Sequence, residues 1–350
     1  MILTPGFPSD EEDTVCLPAQ QVFVKALNRN YPGLRVVLLS FEYPHRRDEY
    51  SWFGNTVIAI GGWKEGRMNK LRTCLTVWKT LNGLRKDNEL VGLLSFWLGG
   101  CALVGKYYGA WKKLRHFTWI LGQDARKGNR FIPLIRPRDS ELIAMSNFLA
   151  RELHRNYRLT PRHIIPNGID ASLYGPAPAI RDIDLLGVGS LIPLKQYDRF
   201  LSVIQQLSDR MPAIRGVICG KGPEADRLQR SIEQLGLQRN LVLAGEKPHK
   251  VAIGLMQRAK ILLHTSSYEG FSTVCLEALY AGAHVISFCD PMGTPVKNWH
   301  VVHTEAEMLE KVLQLLQSPD LESEPVRLFT MEDSARSIMA LYHYKEAAIS

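Results

Sequence analysis

SSYEGFSTVCLEALYAGAHVISF, residues 266–288, holds two glutamates eight positions apart, Glu269 and Glu277. The apolar run before it, Lys260–His264, reads as a strand, Thr273–Ala281 as a helix ended near Gly282, and His284–Phe288 as the next strand. Thr265–Ser272 is then the loop at the first strand's carboxyl end. Its glycine, Gly270, lets backbone approach a ligand closely. The amides of Phe271, Ser272, Thr273 and Val274 open the helix, and a helix N-terminus is a ready anion site. Glu269, on the loop, can accept hydrogen bonds from hydroxyls beyond a bound phosphate. Glu277, one turn into the helix, can take the paired hydroxyls of a ribose on the other side. Two carboxylates flanking an amide-lined anion site describe a receptor for a sugar–diphosphate–nucleoside.

The same rhythm runs through the rest of the chain. In the first half, apolar runs at Arg35–Ser40, Thr56–Ile60, Leu90–Phe96, His116–Leu121, Leu142–Ser146 and His163–Ile165 alternate with helical patterns at Gln20–Asn28, Met68–Leu84 and Asn147–Tyr157. Met68, Leu71, Leu75, Trp78 and Leu81 share one helical stripe with Arg67, Lys70, Arg72 and Lys79 around it, which reads as core packing, a membrane-lying helix with a basic rim being the other reading. Pro166–Pro178 interrupts the rhythm with three prolines and two glycines, a natural domain boundary. Strands at Ile183–Val188, Gly216–Cys219 and Leu241–Leu243 then alternate with helices at Tyr197–Leu207 and Glu224–Leu235. Strand–helix alternation of this kind builds parallel sheets covered by helices on both faces. The expected fold is α/β, with two Rossmann-like doubly wound domains facing a cleft. The expected boundaries are 1–170, 171–330 and a C-terminal helix within 331–350, patterned over Met331–Glu346, that packs back on the first domain.

Composition narrows the function. At 350 residues, with 45% hydrophobic and 22% charged side chains, the chain has the balance of a globular protein. The first residues, MILTPGFPSDEED, show neither a basic segment nor a long apolar one, which argues against a secretory signal. The longest uncharged stretch, Leu90–Gly105, falls short of the roughly 20 apolar residues of a membrane span and reads as a strand, a turn and a helix start. The six cysteines and ten histidines show no CxxC or HExxH spacing, so reduced thiols in a cytoplasmic protein and no metal site are expected. Asp182-Ile183-Asp184 is an Asp-x-Asp triplet, but it precedes a strand at the domain boundary rather than following one. Residues 1–170 carry 25 Lys and Arg against 15 Asp and Glu, whereas residues 171–350 carry 18 against 20. A net of +10 beside a net of −2 points the first half toward an anionic partner.

The 266–288 segment resembles the E-x7-E signature of retaining GT-B glycosyltransferases, in particular those similar to glycosyltransferase family 4. LLGVGSLIPLKQYDRFL (185–201) resembles the family's strand, phosphate loop and helix, and VICGKGPEADRLQ (217–229) its glycine turn. IIPNGID (164–170) resembles its interdomain segment and LIAMSNFLARELH (142–154) the last helix unit of its N-terminal domain. The resemblance implies transfer of a sugar from a nucleoside-diphosphate sugar to an acceptor hydroxyl with retention of configuration, in polysaccharide or glycolipid biosynthesis. It implies catalytic roles for Glu269 and Lys195, and diphosphate contacts from Ser190, Lys195, Gly270, Phe271, Ser272 and Thr273. It assigns the ribose to Glu277 and offers Gly6, Gln123, Asp124, Arg126 and Lys127 on the acceptor side. No metal and no cofactor beyond the donor are implied. A carbohydrate or lipid-linked acceptor, and peripheral contact with an anionic membrane at its inner face, complete the expectation; nucleic acid is not an expected partner.

The chain departs from the family pattern in three places. Ser190 stands where the family usually has arginine, Leu121 where it often has histidine, and FPSDEEDTVCLPA (7–19) where a Gly-Gly pair commonly follows the first strand. The residues themselves leave two other readings open: a sugar-nucleotide epimerase on the same scaffold, or a non-enzymatic nucleotide- or nucleic-acid-binding protein drawn by the basic half.

Overall fold

The computed structural model describes residues 1–62, 67–176, 178, 180–319 and 321–344, the side chain of Arg67 excepted. The chain divides into two compact units, Met1–Gly168 with Met331–Ser350, and Ile169–Thr330.

The first unit contains strands β1 (Ile2–Gly6), β2 (Val37–Tyr43), β3 (Asp48–Trp52), β4 (Asn55–Ala59), β5 (Leu93–Phe96), β6 (His116–Ile120), β7 (Leu142–Ala144) and β8 (His163–Ile164). Its helices are α1 (Pro18–Asn30), α2 (Arg67–Asp87), α3 (Gly100–Lys112), the single turn α4 (Ile132–Ile135) and α5 (Asn147–Tyr157). The eight strands order as β3-β4-β2-β1-β5-β6-β7-β8, all pairs parallel except β3–β4. The order runs outward one way from β1 and the other way from β5. That junction is the topological switch point, where doubly wound sheets leave a crevice at their carboxyl ends. Leu3, Leu39, Phe41, Leu93 and Tyr108 join Val77 and Leu81 of α2 in a core on one face. Ser146 caps α5 by accepting from Leu149 N at 3.1 Å, the local reason the chain turns helical there.

The second unit contains β9 (Ile183–Val188), β10 (Gly216–Cys219), β11 (Leu241–Gly245), β12 (Ala259–His264), β13 (His284–Ser287) and β14 (Trp299–Val301). The covering helices are α6 (Tyr197–Ser208), α7 (Ala225–Gln234), α8 (His249–Arg258), α9 (Thr273–Tyr280) and α10 (Glu305–Leu316). Six parallel strands order as β11-β10-β9-β12-β13-β14, with the switch point between β9 and β12. Leu185, Phe200, Ile204, Ile218, Ile261 and Ile286 meet Met308 and Val312 of α10 in the core of one face.

The chain then returns to the first unit as α11 (Met331–Leu341). Met331, Ala335, Ile338 and Met339 are its buried face. Asn30 Nδ2 donates to Glu332 O at 2.9 Å, Ser334 Oγ to Pro166 O at 2.7 Å and Tyr342 Oη to Leu93 O at 2.6 Å. The patterned helix expected to reach Glu346 ends at Leu341, and residues 345 and 346 lie outside the described residues.

One sequence reading is overturned. The α2 stripe read as core is solvent-facing over its first two turns: Met68, Leu71 and Leu75 are exposed. The residues α2 buries are Thr73, Val77 and Leu81, spaced four apart on a different face, and Leu81 alone belongs to both sets. Hydrophobic spacing selected a real helix but the wrong face of it.

Candidate functional site

The switch point of the second unit is built from three loops. After β9 the chain passes Gly189 and Ser190, makes one tight turn at Pro193–Lys195 and enters α6. The loop after β10 runs beneath it. Gly189 N donates to Cys219 O at 3.0 Å, Leu191 N to Lys221 O at 2.8 Å and Glu224 N to Leu191 O at 3.1 Å. This contact is why the second loop reads CGKGP. Gly220 holds φ at +157°, and a β-carbon there would sit 1.9 Å from Gly189 O; one on Gly222 would sit 2.3 Å from Leu191 O.

The third loop, Thr265–Ser272, closes over the turn that carries Lys195. Thr265 Oγ1 donates to Lys195 O at 2.7 Å and Ser267 N to Leu194 O at 3.0 Å. Lys195 Nζ and Glu269 Oε2 then meet at 2.7 Å, with both side chains about four-fifths buried (19% exposed). His264, at the carboxyl end of β12, brings Nε2 to 3.3 Å from the same oxygen of Glu269. Ser266 Oγ and Ser272 Oγ lie 3.3 and 3.4 Å from that nitrogen.

The electrostatics of this cluster follow from burial and charge. Burial opposes ionisation of Glu269, but the His264 hydrogen bond and the Lys195 charge outweigh it and hold the carboxyl down at about 2. His264 is fully buried and its desolvation lowers its basicity, the Lys195 charge adding to the effect against the pull of Glu269. A neutral imidazole next to a carboxylate carries its proton on Nε2. Its Nδ1 is buried with no partner among the described residues. Glu269 is therefore an ionised acceptor at any ordinary pH and not a proton donor.

Glu277 lies on α9, one turn in. His249 Nε2, from the first residue of α8, lies 2.6 Å from Glu277 Oε1, both side chains largely buried. Tyr174 Oη donates to Glu277 O at 3.2 Å, and its ring stands edge-on to Tyr280 at 4.7 Å, which pins the helix carrying the carboxylate. Gly270, Phe271, Ser272 and Thr273 form the entry to α9, with Ser272 as N-cap residue and Phe271 and Ser272 buried. Ser190 is exposed at the rim of the loop after β9. Ser190, Lys195, Glu269, Gly270–Thr273 and Glu277 thus all sit on the loops after β9 and β12 or in the helix that follows, at one end of one sheet.

Two residues of this cluster escaped the sequence reading. His249 belongs to α8, which was not recognised, although Ala252, Ile253 and Met256 at helical spacing after Pro248 signal it. His264 reads in sequence as an ordinary strand residue, and only its neighbours in space distinguish it.

The acceptor-side candidates lie in the first unit. Gly6 ends β1 at that sheet's switch point. Gln123, Asp124, Arg126 and Lys127 occupy the loop after β6. Asp124 is committed to its own loop: its carboxylate accepts from Leu98 N and Gly122 N, each at 2.8 Å. Burial raises its pKa above the ordinary carboxylate value, against the opposing pull of these amides. Gln123, Arg126 and Lys127 are exposed. The Asp-x-Asp triplet is also committed, Asp182 to Arg258 and Asp184 to Lys260 at 2.7 Å. Among the described residues, no group of three or more His, Cys, Asp or Glu could hold a metal ion, and no helix is long and apolar enough to cross a membrane.

Residues 179–324, nearly all of the second unit, match the family model Glycosyl transferases group 1. The chain is 33% identical over 134 residues to the gpi3 subunit of phosphatidylinositol N-acetylglucosaminyltransferase from Schizosaccharomyces pombe, 37% of this chain and 29% of that protein. It is 27% identical over 146 residues to poly(ribitol-phosphate) alpha-N-acetylglucosaminyltransferase from Staphylococcus aureus, 39% of this chain and 29% of that one. The chain therefore matches less than a third of the length of either curated relative. Among solved structures, Anabaena HepE in complex with UDP and glucose superposes with a TM-score of 0.68 at 16% identity, over 97% of this chain and 94% of that one. Sucrose-phosphate synthase from Thermosynechococcus elongatus gives 0.70 at 15%, over 98% and 95%. The fold is the GT-B fold of two Rossmann-like units, and the second unit is similar over most of its length to group 1 glycosyltransferase domains.

Proposed function

We propose that the chain is a retaining glycosyltransferase that moves a sugar from a nucleoside-diphosphate donor to an acceptor hydroxyl, in polysaccharide or glycolipid synthesis and without a metal ion. The observation that carries this reading is the Lys195–Glu269 pair, which joins the loop after β9 to the entry of α9 at the switch point. A cation for the diphosphate and a hydrogen-bond acceptor for the donor sugar meet there in one buried contact. UDP in the HepE complex, and the N-acetylglucosaminyltransferase names of the curated relatives, support a nucleotide-sugar donor.

Each residue then has a physical task. Lys195 has three N–H donors, one of them on Glu269, and supplies a fixed cation to the diphosphate as negative charge builds on it. The leading amides of α9 and the rim at Ser190 complete the phosphate cradle. Glu269, always ionised, accepts hydrogen bonds from the sugar hydroxyls and orients the anomeric carbon. Glu277, steadied by His249, takes the ribose hydroxyls. In the reaction the bond from anomeric carbon to phosphate oxygen breaks, and the acceptor oxygen bonds to that carbon on the same face. The departing phosphate oxygen receives the acceptor proton, so no side-chain base is required.

The test is calorimetric titration of nucleoside diphosphates and their sugars into the full chain and two variants, with product analysis of the anomeric configuration. Glu277→Ala weakens nucleotide and donor alike. Glu269→Ala leaves nucleotide binding near wild type while donor turnover is lost. Equal loss of nucleotide binding in both variants rejects this division of labour. Turnover that stops with chelator, or a product of inverted configuration, rejects the mechanism.

A further inference from the structure

The first unit exposes an apolar strip that its fold does not use. Met68, Leu71 and Leu75 on α2 are 69%, 59% and 55% exposed. Trp78, one turn further, stacks on Trp111 of α3 at 5.3 Å and 23° between rings, which carries the strip onto the next helix. Trp111 is itself 55% exposed, and Tyr107, one turn before it, is exposed too. Tyr107 Oη donates to the backbone of Leu134 at 2.7 Å, and Leu134 adds another exposed apolar side chain. Single exposed leucines are ordinary, but six large apolar side chains on adjoining elements are a patch.

Its rim is cationic. The 21-residue sequence of α2 holds Arg67, Lys70, Arg72, Lys79, Arg85 and Lys86 against one acid, Asp87. Arg72 and Lys79 are exposed, one residue beyond Leu71 and one turn beyond Leu75, along the edge of the strip. Lys112 Nζ lies 3.3 Å from the centroid of the Trp111 ring, with exposed Lys113 next to it. Apolar side chains with tryptophan and tyrosine, bordered by lysine and arginine, match the layers of a bilayer surface: acyl boundary, headgroup level and anionic phosphate.

We propose that the α2–α3 face is a membrane-docking surface, specific for bilayers containing anionic lipid, with Met68, Leu71, Leu75 and Trp111 entering the acyl boundary. The charge argument selects this occupant over a second copy of the chain, because two copies of a face this basic would repel. The inference stands on the surface alone and holds whether or not the glycosyltransferase reading does.

The test is flotation of the full chain with phosphatidylcholine vesicles, and with vesicles in which part of that lipid is phosphatidylglycerol. Binding to the anionic vesicles only, declining as salt rises, is expected. The pair Leu71→Ser with Leu75→Ser should weaken it about tenfold, and Arg72→Gln with Lys79→Gln roughly fivefold per cation removed. All four positions are exposed, so melting temperatures should match wild type. Quenching of tryptophan emission by lipid with brominated chains should fall in Trp111→Phe. Equal binding to both kinds of vesicle, no binding, or a leucine pair that binds like wild type overturns the proposal. So does a dimer in solution that the leucine pair dissociates.

Discussion

Each sheet has its own switch point, and the two differ in what their loops do with charge. In the second unit the polar groups at the switch point are partnered before any ligand arrives: Lys195 with Glu269, His264 with Glu269, His249 with Glu277. In the first unit the loop after β6 turns its one carboxylate, Asp124, inward onto two backbone amides and leaves Arg126, Lys127 and Arg130 at the surface. A site for an invariant group, such as a diphosphate between sugar and ribose, gains from fixed partners because little reorganisation remains at the moment of reaction. A surface for a larger or more varied molecule gains from cations on a rigid loop base that can re-aim. The contrast implies a preorganised second unit and an adaptable first one.

The largest effect should follow from breaking the preorganised side. Lys195→Ala is expected to lower kcat by about 10²–10³, the range for removing one group that stabilises developing charge. Lys195→Arg, which keeps the charge, should recover part of it. Steady-state kinetics with the donor identified by calorimetry decide this; a Lys195→Ala enzyme within fivefold of wild type would mean the diphosphate lies elsewhere.

The same pair makes the fold sensitive to acid. Glu269 is held at about 2 against an ordinary 4.5, so it binds its proton less readily folded than unfolded. Its stabilisation is complete above about pH 4.5 and is lost as pH falls toward 2. The shift corresponds to roughly 3 kcal/mol. His264, lowered from 6.5 by burial, acts in the same direction at higher pH, since protonation favours the unfolded chain once pH drops below 6.5. Denaturant unfolding of wild type and Glu269→Gln from about pH 7 down to pH 3 reads this, and the variant should show a flatter acid limb below 4.5. Parallel limbs would detach the carboxylate from stability. Next in size comes Gly220→Ala, whose β-carbon meets Gly189 O at 1.9 Å on a backbone at φ +157°. It should cost about 2–3 kcal/mol and appear as a lower melting temperature, with Gly236→Ala, at φ +69° with open space around it, costing less.

Much of this contrast was legible in the sequence, and unevenly so. In the second unit the inner strands β9, β12 and β13 are short branched runs buried on both faces, and Gly216–Cys219 appears at its observed limits. The spacing of Glu269 and Glu277 is itself geometry, one residue on a strand's exit loop and one a turn into the helix that follows. What sequence could not supply was partnership between distant elements: His249 reaches Glu277 only because α8 and α9 pack side by side. The first unit resisted more. Ile2–Gly6 is five residues with a proline, too short to announce itself, yet it is the strand beside the switch point. The α2 stripe misled because periodicity reports that a face is apolar, not what covers it.

The smallest effect should come from the adaptable side, and its smallness is the informative part. Arg126 and Lys127 are exposed on a loop braced by Asp124 and by Asn129, whose side-chain amide donates to Leu98 O at 2.8 Å and to Asp124 O at 2.9 Å. Exposed charges contribute about 0–1 kcal/mol each to a contact and are screened by salt. Replacing Arg126 and Lys127 by alanine should therefore raise KM for an anionic acceptor a few-fold at low salt, less at high salt, with donor KM and melting temperature unchanged. Asp124→Ala, by contrast, orphans the amides of Leu98 and Gly122 and should cost about 1–3 kcal/mol of stability. If the surface pair lowered donor affinity as much as acceptor affinity, the division between a preorganised donor site and an adaptable acceptor surface would fail. If Asp124→Ala changed acceptor KM with no loss of stability, Asp124 would be a ligand contact rather than the brace of its loop.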